Sequence, residues 1–182
     1  MTNIFQGIMD SLKLEMDNEP VSPLHVGEVM SSWMYVALMD EASIYMQVAL
    51  NTTTDDQLCT LLKVSSKQCE AQSRQLRDFL IKEGVHLPPV SEPRPDSNTE
   101  AVPLGVKLTD DEIANGVSIK TVASIIHCAT SASQSIRNDC GMMWIHFLNE
   151  KLTFGTSLKK VMRERGWIKV PPYYYPPGRP TS

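Results

Sequence analysis

The chain has 182 residues, a formal net charge of -4 and 42% hydrophobic residues, enough for one domain with a proper core and too few to expect two. The mild charge and the lack of any basic block argue against a nucleic-acid footprint, and no apolar run approaches the roughly 18–20 residues of a membrane span. The first ten residues have neither a basic start nor a continuous apolar stretch, so they do not read as a secretory signal, and the expected location is cytoplasmic.

Residues 1–20 read as an N-terminal arm, with Ile4, Phe5, Ile8, Met9 and Leu12 spaced for a short amphipathic helix that Asp17-Asn18-Glu19-Pro20 would end. A first long helix is expected over 22–50. Ser22 is its expected N-cap, and Pro23 falls in the first turn, where a missing N–H costs nothing. Val26, Val29, Met30, Trp33, Ala37, Ile44 and Val48 recur every three or four residues, and this stripe is taken as its inward face. A second helix is expected over 54–83, capped by Thr54, with Asp55 and Asp56 favoured by the helix dipole. Leu58, Leu61, Leu62, Cys69, Leu76, Phe79 and Leu80 line it, around a polar middle from Ser65 to Gln75.

Gly84-Val85-His86-Leu87-Pro88-Pro89 stops this helix: glycine takes the left-handed conformation and proline prevents resumption. The stretch 84–108 is far longer than the usual 2–8 residue link in a bundle and reads as a crossover, kept extended by its prolines. Thr109-Asp110-Asp111-Glu112 is a capping box opening a third helix over 110–136. A turn at Arg137-Asn138-Asp139, with Asp139 as cap, leads to a fourth helix over 139–165. Gly166-Trp167-Ile168-Lys169-Val170-Pro171-Pro172 ends it as the earlier stop ended the second. A Pro- and Tyr-rich tail, 171–182, follows the bundle domain 21–170.

No segment reads as strand. Short loops pair helices one with two and three with four antiparallel, while the crossover lets two and three run parallel. The expected fold is all-α, a ferritin-like four-helix bundle of two hairpins joined by one long crossover.

Several of these segments resemble an uncharacterised family from spore-forming Gram-positive bacteria. They are Pro23-Leu24-His25-Val26-Gly27-Glu28-Val29, the two Gly-to-Pro-Pro stops, Val102-Pro103-Leu104-Gly105-Val106 and Ser135-Ile136-Arg137-Asn138-Asp139. The likeness covers roughly residues 20–172. It implies a ferritin-like bundle distantly similar to spore coat protein F, in a family where many members carry the unit twice in one chain and none has an established activity.

Di-iron bundles use a carboxylate on each of two helices and Glu-x-x-His on each of the other two; no Glu-x-x-His occurs in this chain. A degenerate site for iron, manganese or zinc would draw on His146, Glu150, His127, Glu41 and Glu70, with His146 and Glu150 one turn apart on one face. Asp40 is expected to point inward and then needs a serine, histidine or cationic partner. His25 and Glu28 read as a first-turn arrangement and not as ligands. The four cysteines form no Cys-x-x-Cys pair and read as reduced, mostly buried thiols. No Gly-x-Ser-x-Gly or phosphate loop is present. The reading favoured by the sequence is therefore a non-catalytic bundle with no cofactor and a structural or protein-interaction role, spore-associated and homodimeric. A protein partner would be met through Tyr173, Tyr174 and Tyr175; the metal-binding bundle, for oxidation or metal storage, is the alternative.

Overall fold

The computed structural model describes residues 22–177 except residue 91; the amphipathic segment expected over 4–14 lies outside them. Four helices make up the body: α1 Val26–Leu50, α2 Asp56–Lys82, α3 Asp110–Gln134 and α4 Asn138–Glu164, with one short 3-10 turn, Thr99–Ala101. No strand occurs among the described residues, and the fold is an all-α four-helix bundle. Helix α1 packs on α2 and α3, and α4 packs on α3 and α2. The start of α1 meets the end of α3, where Glu28 accepts from the Ile136 amide. The start of α2 meets the end of α4, where Arg165 reaches Asp55. Neighbours are thus antiparallel, and the two remaining pairs, α1 with α4 and α2 with α3, sit diagonally and run parallel.

The helix starts differ from expectation in detail. Helix α1 begins at Val26, not at residue 22, because His25 is the cap: its Nδ1 accepts from the Gly27 and Glu28 amides, and Glu28 returns a carboxylate to the His25 amide. This is a capping box with an imidazole in place of a hydroxyl. Asp55, not Thr54, caps α2. The box of Thr109 and Glu112 opens α3, whereas α4 has no side-chain cap: the cap position falls on Arg137, whose side chain has no acceptor, and Asp139 lies in the first turn, bonded to Arg137 and the Cys140 amide.

Both stops are Schellman motifs. Gly84 has φ 77 and Gly166 has φ 72. The amide of Val85 bonds the Leu80 carbonyl, and that of Trp167 bonds the Met162 carbonyl. Each stop then folds its apolar residues over one end of the core, Val85 and Leu87 at one end, Trp167 and Ile168 at the other. The crossover between them is tied to the first hairpin. Asn51 bonds the Pro95 carbonyl and the Ser97 amide, Gln47 takes the Arg94 amide, and Arg77 bonds the Pro88 carbonyl.

The main correction concerns α1. Its buried residues are Glu28, Ser32, Tyr35, Val36, Met39, Ala42, Ser43, Met46 and Ala49. Val26, Met30, Trp33 and Val48, expected inside, are exposed, Val26 by 84% and Met30 by 57%. Helix α1 is apolar on nearly every side, so periodicity does not choose a face. The face that packs is the one on which Glu28, Tyr35 and Ser43 find partners, the Ile136 amide, Gln72 and Glu70. Ile119, Val122 and Ile126 of α3 and Leu152 of α4 are also exposed.

Candidate functional site

Midway along the bundle its interior turns polar. Tyr35, fully buried on α1, donates its hydroxyl to Gln72 Oε1 on α2 at 2.9 Å, and Gln72 Nε2 donates to Glu150 Oε2 on α4 at 2.6 Å. Next to Glu150, Lys151 is 3% exposed, and its ammonium reaches Cys69 Sγ of α2 at 3.6 Å. Cys128 of α3 is buried beside them, and burial pushes its thiol up to about 11. Burial also raises the Tyr35 phenol well above its ordinary range, with the neighbouring Cys128 and Cys69 adding to the effect.

Around Tyr35 stands an aromatic cage. Phe147 stacks on it at 5.9 Å and Trp144 meets it edge-on at 5.2 Å. His127 lies 5.2 Å from Tyr35 and 5.6 Å from Trp144. The His127 Nε2–H donates to the Ser31 carbonyl at 2.9 Å. Burial lowers the pKa of this imidazole, against the opposing pull of that hydrogen bond.

The five residues expected to form a metal site are dispersed. His146 and Glu150 approach each other, with Nε2 and Oε1 3.7 Å apart at the surface of α4. His127 is committed to α1 through Ser31. Glu70 lies in the α1/α2 groove, accepting from Ser66 at 3.0 Å and Ser43 at 3.4 Å. Glu41 is exposed on the outside of α1. Among the described residues no group of three or more His, Cys, Asp or Glu is placed to hold a metal ion. The cause is geometric: helix faces carrying Glu41, Glu70 and His146 point away from the axis along which a shared ion would sit. Asp40 does turn to its own helix pair, accepting from Ser73 at 2.6 Å and pairing with the Arg77 guanidinium, so its charge is met by a cation and a hydroxyl.

Two grooves flank the core. One of about 410 Å³ lies between α1 and α2 under the crossover, lined by Asp40, Ser43, Glu70, Ser73 and Arg77 among others. Its polar groups largely satisfy one another. The other, about 390 Å³, lies between α3 and α4 around Val122, Ile125, Leu152 and Met162.

Lys151 and Tyr35 did not stand out in the sequence, yet a signal for Lys151 was there. It falls between Phe147 and Phe154 at spacings of four and three, on the buried stripe Trp144, Phe147, Phe154, Leu158. A lysine at such a position must bury its charge or find a partner.

The family model for proteins of unknown function DUF3231 matches residues 14–179. The chain belongs to this family. It is 31% identical over 157 residues to the uncharacterized protein YvdQ of Bacillus subtilis, covering 86% of this chain and 92% of that one. It is also similar to the crystal structure of a Bacillus halodurans protein described as a candidate spore coat protein, with TM-score 0.82 and 30% identity over 85% of this chain and 97% of that one. A fragment of a DUF305 protein from Deinococcus radiodurans shares the fold, with TM-score 0.62 at 12% identity over 79% of this chain and 99% of that one. Among the described residues, no helix is long and apolar enough to cross a membrane.

Proposed function

We propose that this DUF3231 protein is a non-catalytic, ferritin-like bundle with a structural, protein-interaction role, associated with the spore and working as a homodimer. The observation that carries the reading is the exposed stripe of α1. Val26, Met30, Trp33, Met34 and Val48 are large apolar residues facing water, and such a regular stripe marks a surface that another molecule covers. A second copy fits it. The stripe is symmetric about Ala37: antiparallel pairing of two α1 helices sets Val26 against Val48, Met30 against Ile44 and Trp33 against Glu41, with small Ala37 on the twofold axis. Isologous contacts of this kind underlie most dimers. The likeness to a candidate spore coat protein of Bacillus halodurans supports the spore association. Exposed Tyr173, Tyr174 and Tyr175 give a further surface for a protein partner, because tyrosine supplies rigid amphipathic contact area.

Sedimentation equilibrium tests the dimer. The full chain is expected to sediment as a dimer, and Ala37→Glu, which sets two like charges on the axis, as a folded monomer with unchanged helical circular dichroism. A wild-type monomer at high concentration overturns the homodimer.

A further inference from the structure

We propose that Cys69 and Lys151 form an oxidative cross-link, an S–O–N bridge between Sγ and Nζ that ties α2 to α4. The two atoms lie 3.6 Å apart inside the bundle, and Cys69 and Lys151 are only 2% and 3% exposed. An aliphatic ammonium is costly to bury unless an anion or several good acceptors meet it. Lys151 has neither. Among the described residues no carboxylate lies within ion-pair distance of it. The adjacent Glu150 turns its carboxylate to Gln72 and His146, and among the described residues the ammonium's one hydrogen bond goes to sulfur, a weak acceptor. A bridge replaces this poorly solvated charge with a neutral link, so the site itself favours the product.

The oxidant is dioxygen. Lys151 first gives its third ammonium proton to solvent. The thiol then loses its S–H and the amine one N–H, one oxygen atom enters between Sγ and Nζ, and the other leaves as water with those two hydrogens. Sulfur and nitrogen each give up two electrons, which together reduce both oxygen atoms. Two molecules of hydrogen peroxide balance the same product with three of water. Cys128 is the competing thiol, because the Lys151 charge is also felt there. The ammonium, however, meets Cys69 Sγ, at 3.6 Å, and that contact selects Cys69.

The test is mass spectrometry of the full-length chain purified without reductant, before and after hydrogen peroxide, then unfolded and alkylated. The expected result is a mass gain of one oxygen less two hydrogens and three alkylated cysteines in place of four. A tryptic cross-linked pair should hold Cys69 and Lys151, and thiol reductant should restore all four. Cys128→Ser should keep the bridge, while Cys69→Ser and Lys151→Arg should lose it. Four free thiols after oxidation, a product carrying only sulfinic or sulfonic acid, or a bridge mapped to Cys128 overturns the proposal. The decisive measurement uses the wild-type chain, so it stands even if a variant misfolds.

Discussion

The two ends of this bundle are closed by different chemistry. At the end where α1 and α4 begin, the core is aromatic and polar: Tyr35, Trp144 and Phe147 pack with Cys69, Cys128 and Cys140. There Glu28 accepts from the Ile136 and Arg137 amides at 2.9 and 3.0 Å, and Arg137 bonds Glu83 and Asp139. At the opposite end the core is aliphatic, built from Met46, Leu58, Leu62, Ile113, Val117, Leu158 and Met162 around Phe154. Its closure lies nearer the surface: Thr53 and Thr54 on Asp110, Asn115 on the Trp167 carbonyl, Arg165 on Asp55 and Lys169 on Asp111. The contrast separates two tasks. Aliphatic packing supplies stability without fixing much else, whereas a network of buried polar groups forces one arrangement, since any slip leaves donors unpaired.

Core truncation should show the largest effect. Phe147→Ala in the aromatic half is expected to cost about 4 kcal/mol, and Leu62→Ala in the aliphatic half about 3 kcal/mol, read from urea unfolding. A smaller loss for Phe147 would mean that the aromatic half is loosely packed and would erase the contrast. The closures come next. Glu28→Ala strands two inter-helix amides and should cost about 2 kcal/mol, while Asp55→Ala removes a cap and a surface pair for about 1 kcal/mol. Equal losses would show that the two ends are sealed alike. At the stops, Gly84→Ala and Gly166→Ala each force a side chain into the left-handed region for about 1 kcal/mol, and here the two ends should agree.

Acid gives the finest comparison. His127 is held below its ordinary pKa by burial, so the unfolded chain takes up its proton first. Stability should fall as pH drops through about 6.5, the ordinary histidine value, and this loss should vanish in His127→Gln. Asp139 is held below the carboxylate range by hydrogen bonds from Arg137 that outweigh its partial burial. For Asp55 burial works the other way, yet the hydrogen bonds from Arg165 and the Leu58 amide still lower it. Both therefore contribute stability at neutral pH that is lost as pH falls through and below about 4. The histidine window belongs to the aromatic half alone; the carboxylate window belongs to both ends. Unfolding curves at a series of pH values, with histidine titration by NMR, separate them.

Helix number, the Schellman stops and the box of Thr109 with Glu112 were legible because each rests on local backbone chemistry. The inward face of α1 was not. A helix with Val26, Met30, Trp33, Ala37, Ile44 and Val48 on one side and Tyr35, Val36, Met39, Ala42, Met46 and Ala49 on the other offers two stripes of equal quality. Only long-range partners, Gln72 for Tyr35 and the Ile136 amide for Glu28, decide between them. The metal candidates failed to gather for a related reason. Spacing along one helix set His146 beside Glu150, but no sequence rule says which way Glu41 or Glu70 turns on its own helix. Asp40 was readable because a buried carboxylate demands a partner, and Arg77 with Ser73 meets it.

The attachment of the crossover has a consequence for how this chain can be cut. Among the described residues, its hydrogen bonds to the helices, from Pro88 through Ser97, go to α1, α2 or the loop between them, and beyond them Leu104 and Gly105 stand in solvent. A protease that nicks the chain at Gly105 would therefore release no strap and unfasten no helix. It would leave two hairpins, the first still wearing its belt, held by the interface between them, and a split form of the protein could be assembled from the two pieces.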